Sequence, residues 1–215
     1  MCYSPEVSIG TFGFVTAICI YIWNRNKNSD RAAALLFFVI VLMQLIEYFL
    51  WSNPTCNSVN KAISSLVPIL LYLQPLLFAL ISWKLNAGFG LYTQAIFYGW
   101  LFACIPALFY MNSIGLFNNC ILKGSNGHLD WNIGSFTDIF VKEPHTIFRL
   151  VFPICYYTSL FYIFGTLKHT RLAVIFLGIS SITFLTSIHF FQESWGSVWC
   201  NSVNGAAILA LLGSS

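Results

Sequence analysis

The chain has 215 residues and a net charge of +3; 58% of it is hydrophobic and 8% charged, with a mean hydropathy of +0.75. A water-soluble domain carries about 25% charged residues, so this composition excludes a surface facing water on all sides and calls for a lipid bilayer as partner. The basic residues stand in short segments between apolar runs, so the charge of +3 does not point to nucleic acid, and no nucleic-acid partner is expected.

Seven apolar stretches, near 7–23, 32–51, 62–82, 91–111, 147–166, 172–191 and 195–213, run 17 to 21 residues each. A helix of about 20 residues crosses a bilayer. The expected fold is therefore an all-α bundle of seven transmembrane helices, one integral membrane domain over 1–215. Met1–Glu6 carries no basic residue, whereas Arg25, Lys27 and Arg31 follow the first span. That order retains the span, unlike a cleaved signal, and leaves the N-terminus outside. Lys84, Lys168 and Arg171 fall on the same side as those three, while the short outer loops hold only Lys61. The basic bias predicts N-out and C-in.

On the second span, Gln44, Glu47 and Trp51 follow one helical stripe. An ionisable group inside a span marks a site by default, because stranding it in lipid costs several kcal/mol. The pentapeptide Cys-Asn-Ser-Val-Asn follows at 56–60 and recurs at 200–204. Both copies fall after spans running in the same direction, which fits a parallel duplication about span four or a coincidence. A full span follows the first copy, so Asn57 or Ser58 is placed to cap span three. After the second copy too few residues remain for a crossing, which puts Asn201 and Asn204 inside helix seven, on one face and in a polar core.

Pro68, Pro75, Pro106 and Pro153 lie within spans and read as packing kinks or as hinges about a cavity. The connection 112–146 is the one long loop, expected outside as a folded lid, and its stretch CILKGSNGHLDW reads as a β-hairpin turning at Ser-Asn-Gly. Arg149, at the outer start of span five, is a candidate partner for a carboxylate. On span six, Thr186, His189 and Glu193 form a second stripe. His128, His145 and His169 read as solvated loop residues.

Of the seven cysteines, Cys19, Cys104 and Cys155 lie inside spans and read as packing residues. Cys2, Cys56, Cys120 and Cys200 fall toward the outer surface, where disulfides Cys56–Cys120 and Cys2–Cys200 are the expected pairing.

These residues support three readings. The leading one is a small-solute or proton pathway through a cluster of Gln44, Glu47, His189, Glu193, Asn201 and Asn204, with Glu47 as the exchanging group. A second is a membrane-embedded metal-dependent hydrolase holding zinc with Glu47, His189 and Glu193. A third is a scaffold without catalysis, its polar residues pinning helices together. No Walker loop, Gly-rich dinucleotide fingerprint or G-x-S-x-G elbow is present.

The opening MCYS, the segment LMQLIEYFLW and the late GSVWC resemble a family of small multi-span membrane proteins of unknown function. Its members begin Met-Cys-Phe/Tyr-Ser, carry Gln-x-x-Glu and a Trp in span two, and end near a Trp-Cys pair. The matching positions are Cys2, Ser4, Gln44, Glu47, Trp51, Trp199 and Cys200. The resemblance implies that Cys2, Glu47 and Cys200 belong together and implies no activity. His189 and Glu193 stand outside its pattern.

Overall fold

The structure is a computed structural model that describes residues 4–27, 29–85, 90–113, 119–131, 146–165, 170–191 and 194–212. The chain is predominantly helical: α1 Pro5–Arg25, α2 Asp30–Ser52, α3 Ser58–Leu85, α4 Leu91–Ser113, α5 Thr146–Gly165, α6 Thr170–Phe190, α7 Trp195–Asn204 and α8 Ala206–Leu212. Among the described residues α1, α2 and α3 are each long and apolar enough to cross a membrane. The stretch expected as one seventh helix is divided at Gly205. There the Gly205 amide bonds the Ser202 carbonyl in a tight turn, and an added Cβ would meet that oxygen at 3.2 Å.

Caps fix the helix ends. Ser4 accepts from the Val7 amide at 3.4 Å ahead of Pro5, and Asn26 closes α1 with a left-handed φ of 50°. Arg25 grips Asp30 through two bonds of 2.7 and 2.9 Å and donates to the Leu211 carbonyl at 3.1 Å. One guanidinium thus joins α1, the start of α2 and the last turn of α8. Asn57 accepts from the Asn60 amide at 2.9 Å, the expected cap of α3. The two copies of the pentapeptide are therefore unlike: one caps a helix, the other lies within α7.

Helix α2 is the hub, packed by α1, α3 and α7; α5 joins α3 to α6, and α4 lies against α3. Small side chains at helix interfaces allow close backbone approach. Ala32, Ala33, Ala34, Ala206 and Ala207 are all buried and allow that approach. At the Arg25 end the core is aromatic. Phe37, Phe78, Phe164 and Phe176 have no exposed surface, with Phe164 stacked on Phe176 at 3.7 Å and Phe37 edge-on to both at 5.8 and 5.7 Å.

The opposite end carries the expected hairpin. Strands β1 (Leu122–Lys123) and β2 (Leu129–Asp130) pair antiparallel, Leu122 with Asp130 and Lys123 with Leu129. The turn places Gly127 at φ 84°, a backbone conformation that suits glycine. The hairpin is not a loose loop: Ile121, Leu129 and Trp131 are buried and continuous with the bundle core.

Candidate functional site

The site grows from the phase of α2. Ile40, Gln44, Glu47 and Trp51 recur at intervals of three and four residues, so they share one face. Gln44 and Glu47 are both 0% exposed, and Gln44 Nε2 donates to Glu47 Oε2 at 2.9 Å. With the carboxyl ionised, this bond is charge-assisted, the stronger kind.

Helix α7 presents the facing groups. Ser197, Cys200, Asn201 and Asn204 fall within one arc of its wheel, and Cys200 lies within electrostatic range of Glu47. Asn204 Nδ2 donates to the Cys200 carbonyl at 2.7 Å. The side-chain oxygens of Asn201 and Asn204 are buried with no hydrogen-bond partner. Asn204 is 1% exposed, whereas Asn201 is half-buried.

Two residues absent from the sequence expectations complete this interior. Gln74, one position before Pro75 in α3, donates to the Val39 carbonyl at 3.3 Å and accepts from the Tyr156 hydroxyl. Gln74, Tyr156, Trp199 and Cys200 line a cavity of about 10 Å³, together with Ile40 and Val203. That is room for about one water. A lone glutamine in the middle of an apolar span was the available signal for Gln74, and its position beside a proline strengthened it.

The structure departs from the expected cluster at several positions. His189 is exposed on the face of α6 that carries Ile182, Leu185 and Thr186, while Ser180 and Ser187 turn inward. Its ring meets Phe190 at 4.7 Å and does not join Glu47. Thr186 and His189 do share one face, and that face points out of the bundle. Glu193, Cys2 and the Arg149 side chain lie outside the described residues. Among the described residues no three His, Cys, Asp or Glu side chains converge as metal ligands.

Cysteine expectations divide in the same way. Cys56 and Cys120 form a disulfide with Cα atoms 5.5 Å apart. Cys200 is a free thiol, 4% exposed, and the expected Cys2–Cys200 bond falls on Cys2, outside the described residues. Its depth along α7 suggested the surface, but its azimuth turns it into the core. Cys19 is buried as expected, whereas Cys155 is exposed on the bundle exterior.

His128 is a further correction: it is 1% exposed, edge-on to Phe191 at 5.1 Å. The hairpin is anchored on its other side by Asn60, whose Nδ2 donates to the Asn53 carbonyl at 2.7 Å and to the Ile121 carbonyl at 3.1 Å. The Ile121 amide in turn donates to Ser64 Oγ at 2.9 Å. Comparison of the chain with known protein families, with characterised proteins and with solved structures gave no match.

Proposed function

We propose that the chain is an integral membrane protein of seven spans, N-terminus outside and C-terminus inside, that passes protons or a small polar solute with Glu47 as the exchanging group. One observation carries this reading: a carboxyl group with no exposed surface sits within the apolar hub helix, facing the polar residues of α7. Retaining such a group inside a span is costly, and exchange of a proton or cation is the usual return.

The orientation has separate support. Lys84 lies over the Trp83 ring at 4.2 Å and Arg31 over Trp23 at 5.3 Å, basic and aromatic pairs suited to a cytoplasmic interface. The Cys56–Cys120 disulfide at the other end suits an oxidising side. The cavity beside Cys200, of about 10 Å³, is too small for a larger solute, which favours a proton as the species passed. The zinc hydrolase has no such support, because His189 is exposed on the outer face of α6 while Glu47 is buried. Neither Asn oxygen in α7 is repaid by a bond, which favours a pathway over a scaffold.

The test is proton flux into liposomes under an imposed potential, read with an internal pH dye. Glu47→Gln is expected to fold, by retained monodispersity and melting, and to lose flux. Equal flux in wild type and variant would end the proposal.

A further inference from the structure

The mouth of the bundle at the Cys56 end is bridged by residues 121–131, and its two attachments differ in kind. On the α3 side the bridge is held covalently, by Cys56–Cys120, and by the paired bonds of Asn60 and Ser64 to the Ile121 backbone. Ser64 Oγ also donates to Asn60 Oδ1 at 3.1 Å, so these anchors brace each other. On the α6–α7 side, among the described residues, the tie includes a hydrogen bond and a ring edge and is not covalent. Ser194 Oγ donates to Asn126 Oδ1 at 3.0 Å, and His128 rests on Phe191. The acceptor is shared, because Asn126 Oδ1 also takes the His128 amide at 3.1 Å.

Beneath this bridge lie the residues of the candidate site. Cys200 is six residues into the helix run from Ser194, a depth of about 9 Å at 1.5 Å per residue. Glu47 is one turn below Trp51. The hairpin's buried side chains, Ile121, Leu129 and Trp131, belong to the same core cluster as Trp199 and Cys200. Lifting the hairpin therefore uncovers the end of the core from which α7 runs down to Cys200.

We propose that residues 121–131 form a hinged lid: Cys56–Cys120 with Asn60 and Ser64 is the hinge, and Asn126–Ser194 with His128–Phe191 is the latch. Opening breaks the latch while the disulfide keeps the hairpin attached and in register for closing. The Gly124 turn fits this division. A Cβ there would meet Ser194 Oγ at 3.4 Å, so the turn lies tightly against the latch helix when closed. The lid supplies the outer access step of the proposed pathway and rests on that reading for its purpose. Its existence as a gate does not depend on what crosses.

Cys200 is the native reporter. The full chain in liposomes is treated from outside with a charged, membrane-impermeant maleimide, and peptide mass spectrometry follows Cys200 over time in the otherwise unaltered protein. Ser194→Ala removes one latch hydrogen bond and is expected to speed Cys200 labelling about fivefold. An oxidised Asn126→Cys/Ser194→Cys pair is expected to slow it at least tenfold relative to the same protein before oxidation. Faster labelling in the first and slower in the second support the lid even if flux is absent, which separates this inference from the transport reading. Unchanged labelling in both, including none in either, overturns it.

Discussion

Removing the Cys56–Cys120 bond tests how much of this bundle is closed by its helices before the disulfide acts. The bond spans a sequence separation of 64. If unfolding released a free chain, loop-closure entropy would put its contribution at about 4.3 kcal/mol. If, as proposed, the helices span a bilayer, they need not unwind, and α3 and α4 pack together. Their antiparallel pairing already returns the chain to the Cys56 end, leaving an effective loop of about ten residues and a contribution of about 2.7 kcal/mol. The double variant Cys56→Ser/Cys120→Ser is therefore expected to lose about 2.7 kcal/mol. The assay is reversible unfolding in mixed micelles with increasing SDS, followed by tryptophan fluorescence. A loss of 4 kcal/mol or more would refute pre-closure by α3 and α4, and a loss below about 1 kcal/mol would refute the entropic account itself.

Two asparagines should respond in opposite ways. Asn60→Ala strips bonds from the Asn53 and Ile121 carbonyls and from Ser64, and is expected to cost about 2–3 kcal/mol in the same assay. Asn204→Leu removes an oxygen with no partner as well as one amide bond to Cys200, and is expected to stay within about 1 kcal/mol of wild type while lowering flux. Gly127→Ala places a Cβ at φ 84° and is expected to cost about 1 kcal/mol, with the hairpin contacts weakened and Cys200 labelled faster. His189→Ala on the exterior is expected to change neither flux nor stability beyond about 0.5 kcal/mol; a tenfold loss of flux would restore His189 to the site.

Depth along the chain was legible and azimuth was not. Apolar length located the helices, the residues after Asn57 identified it as a cap, and the Ser-Asn-Gly turn located the hairpin. Each of these is a local signal. Which way a residue faces needs contrast around the helix, and α6 is apolar on nearly every side, so nothing in the sequence turned His189 outward or Ser180 inward. The same gap misread Cys200 as an outer thiol and His128 as a solvated ring. Gln74 and Tyr156 were missed because they meet from α3 and α5, 82 positions apart, a contact no periodicity announces. Glu47 was found because a charge in an apolar run needs no azimuth to stand out.

The aromatic block of Phe37, Phe78, Phe164 and Phe176 bears on how fast anything could cross. Among the described residues, rings pack closely at one end and the hairpin seats on the core at the other. Passage through it would proceed by turnover, one enclosed occupant per cycle, at the microsecond-to-millisecond pace of helix and lid motions. Such a protein saturates with rising gradient and slows steeply on cooling, where an open pore would do neither.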